Sequence, residues 1–495
     1  MVASADRIRR LPGPLGPPLA VGLLGAVAGI AVAQGGIVAG AVAGGALLFA
    51  IAALSVLRLA QTRPFYMTVE VPVFFLLIAT LTLRYTLAGG PRTGEELTSD
   101  PFDIFSLFKL GCTGIALALG LIALLSPARG AEDRITSRSI RIYYAYGFIV
   151  VLGLTTSVHP LLTSYRAIEV VAGLTVLAGA YKTMGRQALA RIERMLYWYA
   201  VLLISSIWVG VVVVPSAAVE RINSPIPLRV QGVFPHVSSD TMGHLSVVLI
   251  MWSLARILAR RVELGPRMWL TKAIVVFGFI SLIAAQYRTG YASLLAALGV
   301  LLFIRGRKAI ATLALAGVLV ISVAGSGVIA GAQPYLLRGQ DVEQASRLQG
   351  RLTYWSYAIP VWQQSPIIGG GLETATRLVA LPSLAGSKKP PQNVHSTWVE
   401  ALVGTGVVGV SLLAAALLLT YRRALAMALR GGRLVPVLLL TVLMVRSFTG
   451  GSIEQGGDTS LLFLTLAWGL RDAYFTTIRP QPCVAKPGKG KLLGP

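Results

Sequence analysis

The feature that most constrains this chain is an apolar run of membrane-spanning length, repeated along nearly all of it. A helix needs about 20 apolar residues to cross a bilayer, and about fourteen such stretches follow one another between residues 15 and 470. Those that matter most below cover approximately 195–215, 241–258, 273–287, 290–304, 309–332, 398–420 and 434–448. Composition agrees: 13% of residues are charged, about half the share in soluble proteins. With 55% hydrophobic residues, the chain reads as neither a soluble enzyme nor a disordered one. The expected fold is an all-α polytopic integral membrane protein of about 12–14 transmembrane helices with one large loop containing short helices.

The formal charge of +24, from 44 Lys+Arg against 20 Asp+Glu, would point to nucleic acid on a soluble chain. In a membrane chain the basic residues are first sorted by side, because positive loops stay cytoplasmic. Every second loop is basic, from Arg7, Arg9 and Arg10 through Lys182, Arg186, Arg191 and Arg194 to Arg422, Arg423, Arg430 and Arg433. About 30 basic residues fall on that side by the positive-inside rule. Both termini are therefore expected in the cytoplasm, and no nucleic-acid partner is expected. The first apolar run ends in Ala31-Val32-Ala33, like a signal-peptide cleavage site, but its length and the prompt second span favour a membrane helix.

Cys112 lies in a span and Cys483 in the basic tail, so no disulfide framework is expected. Four histidines without a Cys cluster or an HExxH pattern give no zinc motif. Nucleotide-binding glycine loops are missing as well, and no cofactor is expected.

Chemistry is then sought in the two long loops on the outer side, 216–240 and 333–394. The second, at about 60 residues, exceeds ordinary connections. It holds a helical stretch from Gln344 to Gln364, then Pro366, Gly369-Gly370-Gly371 and Lys388-Lys389-Pro390-Pro391. The outer side also collects the basic residues that violate the positive-inside pattern: Arg221, Arg229, Arg288, Arg338, Arg347, Arg351, Arg377, Lys388 and Lys389. Arg84, Arg92, Lys109, Arg166 and Arg446 stand near other outer helix ends. Arg288 is the sharpest case, lying between two spans with almost no loop around it, where a charge is a functional candidate. Any one of these arginines can be read as snorkelling to lipid phosphate. As a group they call for a polyanion, and guanidinium forks bind phosphate through paired hydrogen bonds. At a membrane face the fitting polyanion is a lipid diphosphate.

Gln392-Asn393-Val394-His395-Ser396 marks the return of the large loop to the membrane. His395 is a candidate general base, since its ordinary pKa lies near neutrality and neighbouring arginines favour the uncharged form. Asn393 and Ser396 are possible supporting residues, with Arg347; the plainer reading is an interfacial histidine with Ser396 capping the next helix. His236 is a weaker rival, and His159 and His244 read as structural.

These residues resemble the O-antigen ligase and polymerase superfamily. His395-Ser396, then nine intervening residues and Gly406-Val407-Val408-Gly409, is similar to its His-plus-polar and Gly-x-x-Gly pattern. Arg229-Val230-Gln231-Gly232-Val233-Phe234 resembles its Arg-x-x-Gly-x-Phe segment, and Arg288 its Arg-x-x-x-Leu motif, with Ala292 in place of Leu. Arg351 to Trp355, then Pro366, Gly369 and Gly371, resembles its loop segment. His236-Val237-Ser238 departs from the usual His/Asn-Pro-Asn.

The resemblance spans roughly 195–420 and organises the chain as N-terminal helices 1–194, a catalytic core 195–420 including periplasmic loop 333–394, C-terminal helices 421–470 and a basic cytoplasmic tail 471–495. It implies a metal-independent inverting glycosyltransferase at the periplasmic face of the bacterial inner membrane. The donor would be an undecaprenyl-diphosphate-linked glycan; the acceptor a glycan, lipid A-core or other hydroxyl; membrane lipids would surround it. His395 would be catalytic, and Arg229, Arg288 and Arg351 would bind diphosphate. A polymerase of the same superfamily, and a lipid-linked glycan flippase or other transporter, remain alternatives.

Overall fold

The computed structural model describes residues 69–81, 103–125, 138–184, 186–222, 228–233, 235–259, 268–307, 310, 351–381, 394–431 and 433–450. The spans expected before residue 58, at 309–332 and at 460–470 lie outside these residues, as do Asn393, Arg347, Arg338, Lys388, Lys389, Arg84, Arg92 and the tail.

Twelve α-helices organise the described part. They are α1 (Glu70–Ala79), α2 (Ile104–Leu125), α3 (Arg138–Leu152), α4 (Pro160–Met184), α5 (Arg186–Val213), the single turn α6 (Pro215–Ala218), α7 (Ser239–Ala259), α8 (Met268–Ala285), α9 (Arg288–Ile304), α10 (Arg351–Gln364), α11 (Thr397–Gly431) and α12 (Val435–Ser447). Six of these helices are long and apolar enough to cross a membrane: α2, α4, α5, α7, α8 and α11. Four shorter apolar helices, α1, α3, α9 and α12, complete the bundle. The protein is an all-α polytopic membrane protein, as its apolar runs require: a helix pairs every backbone amide internally where no water can.

α7 is the hub. It lies along α8, α9, α12 and α5, and most of it is buried, whereas most of α2 and α8 is not. The outer faces of α2 and α8 instead present Ile104, Leu107, Phe108, Ile115, Leu121, Trp269, Val276, Phe279 and Ile280, the apolar surface a bilayer solvates. Inside, small residues set the helix spacing. A Cβ on Gly120 of α2 would lie 2.9 Å from the Val176 nitrogen of α4, and one on Gly179 would lie 2.9 Å from the Ala123 Cβ. Close backbone approach of this kind drives helix association where the hydrophobic effect cannot.

The loop 216–240 folds into two antiparallel ribbons: β1 (Val219–Arg221) pairs with β2 (Leu228–Val230), and β3 (Gly232–Val233) with β4 (His236–Val237). The sequence had not indicated these strands; they are two or three residues long, too short for a period-two pattern to show. Their register sets Glu220 opposite Arg229 and Val233 opposite His236.

The described half of the long loop returns to the bundle through backbone contacts. After α10 the chain turns at residues 366–368, and residues 366–371 pair with α11 where that helix breaks at Gly406, whose φ is 66°. The Val407 and Val408 amides donate to the Pro366 and Ile367 carbonyls, and the Gly370 and Gly371 amides to those of Val403 and Gly404. Side chains would forbid this approach: Cβ atoms on Gly369 and Gly406 would collide with the Gly404 and Ile367 backbones respectively. A π-helical turn, Ala375–Ala380, follows.

Candidate functional site

Four segments converge at the end of the bundle where α11 begins. His395 stands two residues before α11 with φ of 51°, a left-handed conformation that costs a non-glycine residue about 1–2 kcal/mol. Gln286 and Glu373 are the other non-glycine residues with positive φ among the described ones. Strain of this kind persists where surrounding structure over-determines it, and it clusters at functional sites.

The parts of this assembly arrive on several elements. From α10, Tyr354 sets its ring 6.3 Å from the imidazole, centroid to centroid, and Trp355 donates its indole N–H to the Val394 carbonyl at 3.0 Å. Trp355 thereby ties the helix bearing Arg351 to the segment bearing His395. From β2, Arg229 Nη2 bonds Asp240 Oδ1 in the first turn of α7 at 2.7 Å, with Glu220 at 3.9 Å. From the α8–α9 junction, the Gln286 side chain donates to the Leu228 carbonyl at 2.8 Å, which fixes the Arg229 strand against the turn that carries Tyr287 and Arg288. Tyr287 fills the space left by Gly243 of α7 and Gly290 of α9, where Cβ atoms would meet its ring at 2.9 and 2.7 Å.

α12 closes the site from the remaining side. Thr449 bonds Thr289 at 3.0 Å, the Gly450 carbonyl accepts from the Thr397 amide at 3.2 Å, and Trp398 donates to Ser447 at 3.0 Å. Arg446, at the end of α12, is only 8% exposed and acts electrostatically on Tyr287, together with Asp240 and Arg351.

The electrostatics follow from this assembly. Burial holds the His395 pKa below the ordinary histidine value of 6.5; Arg351 pushes it further down, and Asp240 opposes them. The imidazole is thus kept uncharged at neutral pH, as a proton acceptor must be. Burial also lowers the Arg351 pKa, countered by Tyr287, Asp240 and Tyr354, though a guanidinium stays charged in any protein.

The residues singled out from sequence fall into three groups. Arg229, Arg351 and His395 are brought together around Asp240. Arg288 opens α9 between Tyr287 and Thr289, two members of the cluster, and its Nε is buried. His236 and Ser396 have local roles: the first donates to the Gly232 carbonyl within the β3–β4 ribbon, with burial depressing its pKa, and the second is buried and caps α11 through the Val399 amide at 3.5 Å. Asp240, Tyr287 and Arg446 were not assigned to the site from sequence. Asp240 follows a stretch that departs from the family pattern, and Arg446 was grouped only with outer helix ends.

A second charged cluster sits deeper in the bundle. Glu169 of α4, 1% exposed, forms an ion pair with Lys109 of α2 at 2.7 Å and accepts from Arg166 at 2.6 Å. Arg166 also pairs with Glu373 of the long loop. The Glu373 amide donates to Glu400 of α11 at 3.0 Å, and Thr376 donates to the same carboxylate at 2.7 Å. Thr163 of α4 bonds Thr374 beside them. Lys109, and Glu70 paired with Arg191 at 2.8 Å, are the groups a transport path would use; both are engaged in ion pairs. Among the described residues no three His, Cys, Asp or Glu side chains gather as metal ligands would.

Residues 273–414 match a family model described as O-antigen ligase. The match runs from α8 through α11 and contains Arg288, Arg351 and His395; Arg229, Asp240 and Arg446 lie outside it. None of the curated proteins compared matches the chain.

Proposed function

We propose that this protein, a member of the O-antigen ligase superfamily, is a metal-independent inverting glycosyltransferase that moves a glycan from undecaprenyl diphosphate to an acceptor hydroxyl at the periplasmic face of the inner membrane. The observation that carries this reading is the convergence of His395, Arg351, Arg229 and Asp240 from four separate segments at one end of the bundle.

His395, held uncharged, takes the proton of the acceptor hydroxyl. The hydroxyl oxygen attacks the anomeric carbon from the side opposite the diphosphate. The carbon–oxygen bond to the diphosphate breaks, and its electron pair leaves with the phosphate oxygen. Arg229, Arg288 and Arg351 take up the negative charge that develops there, each charge-assisted hydrogen bond contributing about 1.5–3 kcal/mol. Such stabilisation acts where the charge appears, so it favours the transition state over bound substrate. The diphosphate is a good leaving group at neutral pH, and no general acid is assigned.

One-step transfer, as in a ligase, is the preferred reading over chain growth, as in a polymerase; both use the same chemistry at His395. Incubating the purified protein with a lipid-linked repeat unit tests both the class and the choice. A single transferred unit identifies a ligase and a ladder a polymerase, whereas full transfer by His395→Ala sinks the catalytic assignment.

A further inference from the structure

The site contains a carboxylate that the transfer mechanism leaves unused. Asp240 binds Arg229 at 2.7 Å while also lying within electrostatic reach of Arg351, Tyr287 and His395. Its place in the first turn of α7 has a plain structural explanation, since acids favour helix N-termini. The helix is already capped, however: the Ser238 hydroxyl accepts from the Thr241 amide at 3.2 Å. The Asp240 side chain is directed to Arg229 instead, and more than half of it is exposed at the site.

Resting on the reading above, we propose that Asp240 is the resident anion of the site, a positioning residue that holds the Arg229 guanidinium until a diphosphate takes its place. Three features support this. A guanidinium fork paired with carboxylate presents the same donors that a phosphate oxygen would use. The pair is half-solvated, so exchanging one anion for another there costs little. Finally, the carboxylate released from Arg229 remains opposite Arg351 and His395, where its charge favours the imidazolium that forms when His395 takes the acceptor proton. Arg351 and Tyr354 from α10 and Asp240 from α7 are among the groups acting on His395. Tyr287 stands one step further out, within electrostatic reach of Arg446, Asp240 and Arg351.

The test uses the full-length protein in detergent, with inorganic pyrophosphate as the binding probe and a lipid-linked repeat unit as donor. Asp240→Asn is expected to bind pyrophosphate about threefold more tightly, since a partly exposed competing ion pair is removed. Its kcat is expected to fall, and the acidic limb of kcat/KM to move to lower pH, because His395 loses the one negative charge that raises its pKa. Asp240→Glu, which keeps the charge, is expected to restore the wild-type limb; a role confined to the helix terminus would move neither limb nor pyrophosphate affinity. Unchanged pyrophosphate binding and an unchanged limb in Asp240→Asn, while Arg229→Ala still weakens binding and His395→Ala abolishes transfer, would overturn this inference alone. Retained transfer in His395→Ala and unaltered pyrophosphate binding in Arg229→Ala would instead remove the reading on which it rests.

Discussion

Two charged clusters in this protein are built on opposite terms. Around Glu169, two cations and two carboxylates, Lys109, Arg166, Glu169 and Glu373, pair within hydrogen-bonding distance, and Glu400 is met by an amide and a hydroxyl. Near His395, Arg229 pairs with Asp240 and stands 3.9 Å from Glu220, Arg351 and Asp240 act on the imidazole, and Arg351 and Arg446 act on Tyr287 beside them. Buried charges persist only when paired, because their desolvation costs several kcal/mol each. A cluster whose cations are both taken up by its own carboxylates is therefore finished, and its ion pairs between α2, α4 and the long loop act as a fastener. A site with cations in excess is complementary to an anion. Both clusters meet at the start of α11, five residues apart, at His395 and Glu400, so the fastener also sets where the strained histidine stands.

The comparison is broken most directly at His395. His395→Ala is expected to lower transfer by about 10²–10⁴-fold, the contribution of a positioned base, with thermal stability in detergent little changed, since Ala at the same positive φ keeps the backbone strain. Glu169→Ala should reverse that profile. It leaves Lys109 and Arg166 without their shared carboxylate, and breaking a buried pair from one side costs about 3–5 kcal/mol, to be read as a lowered unfolding temperature. An unchanged melting curve would show that the deeper cluster does not hold the loop.

A third variant tests the backbone joint between the two clusters. Gly406→Ala places a Cβ against the Ile367 backbone at positive φ, and is expected to destabilise by about 1–3 kcal/mol and to reduce kcat as the loop lifts from α11. The smallest effect is in pH dependence. The acidic limb of kcat/KM should lie below 6.5, since burial and Arg351 lower the His395 pKa. Arg351→Gln removes a positive charge that disfavours imidazolium, so it should move the limb upward while raising donor KM. A limb that stays in place would separate Arg351 from the histidine and leave it with the donor alone.

Much of this was legible in the chain. The apolar runs at 241–258, 273–287, 290–304 and 398–420 became α7, α8, α9 and the first part of α11 with boundaries displaced by a few residues, except that α11 continues to Gly431. Where the long loop is described, α10 begins at Arg351 and ends at Gln364. Gly369, Gly371, Gly406 and Gly409 were legible only as a pattern. Three of them acquire a physical reason in the fold, because Gly369, Gly371 and Gly406 are the residues with positive φ that let the loop backbone touch a broken helix. Asp240 and Arg446 were not legible as site residues, because one opens a helix and the other ends one, positions where either charge has an ordinary explanation.

The sequence by itself determined that the chain crosses a membrane many times, since no other structure satisfies the backbone of such apolar runs. It also singled out Arg229, Arg288, Arg351 and His395 as candidates for chemistry. Only the tertiary structure decided their partners. Arg229 meets Asp240 because the Gln286 side chain binds the β2 strand, and His395 meets Arg351 because Trp355 binds the Val394 carbonyl. Lys109 and Arg166 are withdrawn from the anion-binding candidates by a glutamate buried between them. Pairing of charges is a matter of distances between helices, and no spacing along one chain contains it.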